Sequence, residues 1–129
     1  MTRYASCILL VEKNKFLAVS RKEDHDDFNL PGGSVEEGES CLQAAIRELK
    51  EETGLEVTME NLTCLHVDKD GVFRVYTYYC HEFSGDIHTV ENHKVKWLPL
   101  EDLRKSKLWP RYNSMVLDKY NNVMRDKQS

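Results

Sequence analysis

Three glutamates, Glu48, Glu51 and Glu52, fall within one short stretch of the chain. At about 100° per residue, with Glu48 at zero, Glu51 lies near 300° and Glu52 near 40°. A helix through this segment therefore gathers all three carboxylates on roughly 100° of its surface. Like charges at these spacings cost a few tenths of a kcal/mol per pair, and two of them lie toward the end of such a helix, where the macrodipole disfavours anions. A bound divalent cation reverses both penalties. Oxygen ligands at this density suit Mg²⁺, with Mn²⁺ as the alternative, and water and phosphate oxygens complete the octahedron. Arg47 lies beside the acidic arc, where a fixed cation lowers carboxylate pKa values and locks rotamers. Leu42, Ile46 and Leu49 occupy the adjoining arc and are expected to face the core. The small Cys41, Ala44 and Ala45 are expected to leave space for a ligand over the carboxylates. Taken alone, Glu-x-x-Glu-Glu is also what a solvated helix face carries, so the surrounding elements decide its meaning.

Those elements can be read from caps and periodicity. Ser40 with Gln43 three residues on forms a capping box, and Gly54 after Thr53 is a C-terminal cap, so the spacing predicts a helix over Cys41 to Glu52. Before it, Leu30 to Glu39 carries Gly32, Gly33 and Gly38, which predicts a bending loop rather than a helix or a regular strand interior. Tyr4 to Val11 is almost wholly apolar and reads as a strand covered on both faces. Glu12 to Lys15 reads as a turn and Phe16 to Arg21 as a second strand hairpinned to the first. Beyond the helix, Leu55 to Val67 and Val72 to Phe83 read as strands joined across Asp68 to Gly71, followed by a strand at Val95 to Leu98 and a helical turn at Leu100 to Lys105. Arg111 to Met124 is a closing helix with Met115, Val116, Tyr120 and Val123 inward, and Arg125 to Ser129 is expected to fray.

With the helix in place, the motif is specific. Gly33 is followed after five residues by Glu39, after seven more by Arg47-Glu48-Leu49, then after one by Glu51-Glu52 and after one by Gly54-Leu55. This pattern, with the Leu30-Pro31-Gly32-Gly33 lead-in, resembles the Nudix box, and the chain is similar to the Nudix hydrolases, the family of the MutT-type nucleotide-pool enzymes. The resemblance implies an α/β fold, a Nudix-type α/β/α sandwich with a mixed β-sheet, in which the box at 33–55 forms a loop, helix and loop. It assigns Glu48, Glu51 and Glu52 as ligands of Mg²⁺, the Gly32 carbonyl as a further ligand, Arg47 as the residue that orients the glutamates, and Glu39 as structural. Family members hydrolyse a nucleoside diphosphate linked to another group by attack of water on phosphorus, where the metal supplies charge neutralisation and an acidified water. The general base differs between them. Glu91, six residues before Trp97, is placed like the distal glutamate of MutT-like enzymes and joins Glu48, Glu51, Glu52 and Arg47 as a catalytic candidate. Trp109 to Val116 looks like the segment leading into the last helix of those enzymes, which makes Asn113 a base reader and Trp109 and Tyr112 stacking candidates. Phe28 and Asn29 lie where family substrates pass, and Arg21 is a candidate for phosphate contact.

Composition narrows the partners. In 129 residues, 18 Lys and Arg stand against 22 Asp and Glu, a net charge of −4, which argues against non-specific binding to nucleic acid or an anionic membrane. No stretch reaches the roughly 18 to 20 apolar residues of a membrane helix, and Met1 to Leu10 lacks the layout of a signal peptide, so a cytoplasmic protein is expected. Cys7, Cys41, Cys64 and Cys80 are scattered and read as free thiols. With no repeat, linker or low-complexity block, residues 1–129 read as one Nudix hydrolase domain. The leading expectation is Mg²⁺-dependent hydrolysis of a nucleoside triphosphate, canonical or oxidised as in 8-oxo-dGTP, to monophosphate and pyrophosphate. The alternatives are an NDP-sugar, dinucleoside polyphosphate or RNA-cap hydrolase on the same scaffold, the last being the one route to a nucleic-acid partner, and a non-catalytic nucleotide-binding module. The family also offers homodimers by analogy. Asp24 to Asp27 and Asp68 to Asp70 lack the spacing of a calcium-binding EF-hand loop.

Overall fold

The computed structural model describes residues 2–88 and 92–128. Its backbone is one mixed sheet with a helix on each face. The strands are β1 (Arg3–Glu12), β2 (Lys15–Ser20), β3 (Phe28–Asn29), β4 (Gly32–Ser34), β5 (Thr63–Asp70), β6 (Phe73–Cys80) and β7 (Val95–Pro99). The helices are α1 (Cys41–Thr53) and α2 (Pro110–Gln128), and 3₁₀ turns occupy Met59–Asn61 and Leu100–Lys105.

The long strand β1 organises the rest. It pairs in parallel with β6 from Arg3 to Leu10, antiparallel with β4 at Ala5 to Cys7, and antiparallel with β2 at its far end. β2 in turn carries β3 and β7, and β5 lies outside β6. Successive residues of a strand point to opposite faces, so the apolar run Ile8-Leu9-Leu10-Val11 feeds two cores at once. Ile8 and Leu10 pack with Leu17, Ala45, Leu49 and Leu55 under α1. Leu9 and Val11 pack with Phe16, Leu103, Val116 and Leu117 under α2. Burying each of these large side chains is worth about 1.5–3 kcal/mol. The predicted strand covered on both faces is thus what joins the two layers. The hairpin between β1 and β2 turns on Lys13 and Asn14, both at positive φ (53° and 62°), the backbone of a type I′ turn whose twist matches the strands.

Several boundaries differ from those expected. Leu55 and Val57 alternate like a strand and are buried, yet the backbone there makes a single bridge, Glu56 to Ser84, and then a 3₁₀ turn, so β5 starts only at Thr63. β5 then runs through Asp68 to Asp70, and the hairpin turns on Gly71 and Val72 instead. Part of the glycine segment is a strand after all: Gly32 to Ser34 pair with Cys7 to Ala5. The closing helix starts on Pro110, suited to a first turn that needs no donor, and continues through Arg125 and Lys127, cations that favour its C-terminal end. Its inner face carries Tyr112, Val116, Leu117 and Tyr120, with Val123 packed beside them, whereas the thioether of Met115 turns to Arg111.

Candidate functional site

The caps of α1 are those the sequence specifies. Ser40 Oγ accepts from Gln43 N at 3.0 Å, Gln43 Oε1 accepts from Ser40 N at 2.9 Å, and Gly54 takes the left-handed conformation at φ 84°. These ends set the phase of the helix and hence of its glutamates.

One guanidinium holds the acidic turn together. Arg47 grips Glu39 as a fork, Nε at 2.7 Å from Oε2 and Nη2 at 3.0 Å from Oε1. Nη2 also donates to the Ser34 carbonyl at 3.1 Å, while Nη1 reaches Glu48 Oε1 at 3.0 Å and Glu51 Oε2 at 3.2 Å. Glu39 Oε1 further accepts from Glu36 N at 3.0 Å, which closes the loop onto the helix start. The Arg47 contact, helped by that backbone N–H, holds the Glu39 carboxyl below the usual carboxylate range, and the same pairing raises the pKa of Arg47. Glu39 is therefore a structural anchor, as the resemblance implied.

The glycine segment receives the other carboxylates. Gly32 N donates to Glu52 Oε1 at 2.7 Å. A Cβ on Gly33 would lie 2.6 Å from Glu48 Oε1, so the missing side chain of Gly33 is the seat of the Glu48 carboxylate. Glu48 and Glu52, one turn apart, are thus both laid against β4. Ala44 and Ala45 are both fully buried, Ala45 among Ile8, Leu10 and Leu17, so they do not leave open space over the carboxylates as the sequence suggested. Among the described residues no three His, Cys, Asp or Glu side chains are gathered at metal-ligand spacing. Glu51 is the outlying carboxylate, sharing Arg47 Nη1 with Glu48 and remaining about half exposed.

The far end of α1 is clamped from the loop before β7. His93 is buried, and its Nε2 lies 2.9 Å from the Glu52 carbonyl; facing an acceptor, that nitrogen carries the proton. His88 N donates to the Thr53 carbonyl at 2.8 Å. Glu91, between them in sequence, lies outside the described residues.

Two hollows meet beside this turn. The smaller, about 220 Å³, is walled by β1, β4, β6 and the start of α2 and includes Asn29, Trp109, Tyr112 and Asn113. The larger, about 390 Å³, includes Arg21, Lys22, Glu52 and His93. Asn29, Leu30, Gly32 and Trp109 line both. The residues singled out from the last segment of the chain are therefore brought together, with qualifications for three candidates. Phe28 neighbours Asn29 on a strand and so points the other way; it lines a separate hollow with Asp26 and Leu98, its ring beneath Lys96 Nζ at 4.5 Å. Tyr112 forms wall, but its hydroxyl is committed, bonded to Thr77 Oγ1 at 2.7 Å and donating to the Val75 carbonyl at 3.1 Å. Burial raises its pKa and pushes the adjoining Cys7 thiol up to about 12. Arg21 faces the larger hollow while Nη1 sits 3.4 Å from the buried Asp27 carboxylate.

Asp27, Ser106 and the buried role of His93 were not visible in the sequence. Asp27 Oδ1 accepts from Lys107 N at 2.8 Å and its backbone carbonyl from Arg21 N at 3.0 Å, so this one residue ties the end of β2 to the segment that carries Trp109. Within the polar run 22–27 nothing distinguishes it from its exposed neighbours.

Comparison with known proteins agrees with this geometry. The chain is 33% identical over 104 residues to putative nudix hydrolase 1 of Caenorhabditis elegans, covering 78% of this chain and 27% of that protein. It is 34% identical over 76 residues to dihydroneopterin triphosphate diphosphatase of Escherichia coli, covering 59% and 51%. The match thus spans about a quarter of the length of the first relative and about half of the second. The crystal structure of the MutT NUDIX hydrolase from Burkholderia pseudomallei superposes with a TM-score of 0.77 at 26% identity, covering 92% of this chain and 98% of that one. The family model for the NUDIX domain matches residues 1–118, and the chain belongs to that family, on its MutT-like side.

Proposed function

We propose that the chain is a pyrophosphohydrolase that splits a nucleoside triphosphate, canonical or oxidised as in 8-oxo-dGTP, into the monophosphate and pyrophosphate. The observation that carries this reading is the pair of contiguous hollows, one apolar with amide groups and the other bearing Glu23 and Glu52 beside Arg21 and Lys22, with Asn29, Leu30, Gly32 and Trp109 common to both. The base takes the smaller hollow, with the Trp109 ring as a stacking surface worth about 1–3 kcal/mol and the amides of Asn29 and Asn113 at its edge. The phosphates run past Gly32 into the larger hollow, where Arg21 and Lys22 supply positive charge and Asp27 steadies the guanidinium. The E. coli relative is named for a triphosphate substrate, which supports the same class.

Nudix hydrolases generally use divalent metal ions. The donors here fit such an ion chemically: hard carboxylate oxygens of Glu48 and Glu52 lie against the Gly32–Gly33 backbone, with Glu51 on the same turn. Glu48, Glu51, Glu52 and the Gly32 carbonyl would hold Mg²⁺, with Mn²⁺ as a substitute. When bound, the cation supplies charge neutralisation on the phosphate oxygens and an acidified water. The protein's own contribution is position. Arg47 holds the Glu48 and Glu51 carboxylates in place, His93 fixes the backbone of Glu52, and Glu91 is the candidate to take a proton from the attacking water. A cytoplasmic site of action goes with this reading, and four free thiols suit a reducing compartment; no helix among the described residues is long and apolar enough to cross a membrane.

The test is a Mg²⁺-dependent hydrolysis panel over nucleoside triphosphates, NDP-sugars, dinucleoside polyphosphates and capped RNA, with products resolved by mass. Pyrophosphate and a monophosphate from one triphosphate are expected. Glu52→Gln, which can still accept from Gly32 N, is expected to keep the fold and lower the rate at least about 10²-fold. Near-wild-type turnover in that variant would remove Glu52 from the metal site, and a sugar phosphate product would replace the triphosphate reading.

A further inference from the structure

The last turn of α1 is held from outside the helix. A helix leaves its final carbonyls without intrahelical donors. Here the Lys50 carbonyl is taken by Gly54 N at 2.9 Å, the Glu52 carbonyl by His93 Nε2 at 2.9 Å and the Thr53 carbonyl by His88 N at 2.8 Å. The first bond is the helix's own cap. The other two come from the loop before β7, and the His93 bond is the one made by a side chain, which is buried and stands 41 positions from its acceptor.

The residue after His93 is fastened in turn to the end of β2. Lys94 N donates to Ser20 Oγ at 2.8 Å and Ser20 N donates to the Lys94 carbonyl at 2.9 Å, so the buried Ser20 carries the pairing of β2 with β7 beyond Val19 and Val95. Arg21 and Lys22 follow directly, and both line the larger hollow with Ser20, Glu52 and His93. A short path of bonds therefore runs from the cations after β2, through Ser20, Lys94 and His93, to the residue whose carboxylate lies against Gly32.

We propose that His93 is a positioning residue that fixes the span between the cations after β2 and Glu52, so that phosphates held by Arg21 and Lys22 meet the carboxylates of α1 at the reacting distance. The inference rests on the reading that the phosphates occupy the larger hollow. His93 acts on a distance and not on the affinity of either group. Its loss therefore leaves the triphosphate bound but misaligned, and a misplacement of about 1 Å can cost about 10²-fold in rate.

The experiment measures kcat and KM for Mg²⁺-dependent hydrolysis of dGTP and 8-oxo-dGTP, the Kd of the α,β-methylene analogue of dGTP, and a thermal melt. The variants are His93→Leu, His93→Gln, Arg21→Ala and the double variant Arg21→Ala/His93→Leu. His93→Leu keeps bulk and loses the donor; kcat is expected to fall about 10- to 100-fold with KM and the analogue Kd within about threefold of wild type. His93→Gln retains an amide N–H in place of Nε2–H and is expected to recover kcat to within about threefold. Arg21→Ala is expected to raise KM and the analogue Kd about tenfold, the size of one charge-assisted hydrogen bond. With Arg21 gone the span has lost one end, so His93→Leu should then cost at least about threefold less in kcat than it does alone, a coupling between residues that a merely structural role would not produce. Should His93→Leu fail to fold in the melt, Ser20→Ala, which cuts the same path at its other end, takes its place in the cycle. Unchanged kcat in a folded His93→Leu, equal losses in the leucine and glutamine variants, or the same loss with and without Arg21, while Arg21→Ala still raises KM, would overturn the role of His93 and leave the phosphates where they are placed. KM and analogue affinity unmoved by Arg21→Ala in an enzyme still silenced by Glu52→Gln, or a wild type that turns over neither triphosphate, would overturn both the inference and the reading beneath it.

Discussion

Adjacent glycines in the loop before α1 should fail in different ways when each gains one methyl group. A Cβ on Gly33 would lie 2.6 Å from Glu48 Oε1 and 2.7 Å from Glu48 Cδ. Ordinary contact begins near 3.4 Å, so the carboxylate must retreat by about 0.8 Å. It can do so, because it is the end of a flexible side chain, and the fold should therefore survive Gly33→Ala. Displacement of a site group by about 1 Å can cost about 10²-fold in rate, so a loss of kcat of roughly 10- to 100-fold is expected, with a weaker apparent affinity for Mg²⁺. A Cβ on Gly32, by contrast, would meet the Ser6 carbonyl oxygen at 2.3 Å and Cys7 Cα at 2.7 Å. Neither atom can move without breaking the pairing of β4 with β1, so Gly32→Ala should lower the melting temperature severely. The assay is a thermal melt beside a Mg²⁺ titration of hydrolysis for each variant. A Gly33→Ala protein with kcat within about threefold of wild type and unchanged Mg²⁺ dependence would refute the claim that the empty side of Gly33 seats a working Glu48.

Arg47→Lys keeps the charge but loses the fork that spans Glu39, Ser34, Glu48 and Glu51; a loss of activity of about 10²-fold with a smaller change in stability is expected, and equal activity would show that charge alone suffices. Because Glu39 is held below the usual carboxylate range, the stability it contributes is present above its unfolded pKa and is lost as the pH falls through its folded value. Melting curves of wild type and Glu39→Gln should therefore differ at neutral pH and converge under acid conditions, and a gap that persists or widens in acid would contradict the Arg47 pairing as its source.

How far the sequence could be read depended on whether a residue's role is local. The ends of α1 follow from contacts within four residues, Ser40 with Gln43 and Gly54 with Lys50, and they came out where the caps placed them. The arc of Glu48, Glu51 and Glu52 follows from helical phase alone, and Arg47 was already beside it. Register across the sheet carries no such mark. Leu55 and Val57 have the alternation of a strand, but a strand also needs a partner edge, and β6 offers one only from Thr63 onward. Ala44 and Ala45 read as space over the carboxylates because a sequence shows that a side chain is small, not what packs against it; both are fully buried, Ala45 among Ile8, Leu10 and Leu17. The same limit hid Asp27 and Ser106, whose partners lie 80 and 77 positions away. Sites of this design divide accordingly. In the proposed reading, the carboxylates that hold the metal are spaced along one helix and are legible as a motif, whereas the hollow assigned to the base is assembled from residues spread from Ala5 on β1 to Asn113 on α2. Under the proposed reading, substitutions in the lining of that hollow, such as Asn29, are expected to change which base is accepted while the box from Gly33 to Leu55 stays intact, and the box alone does not determine the substrate.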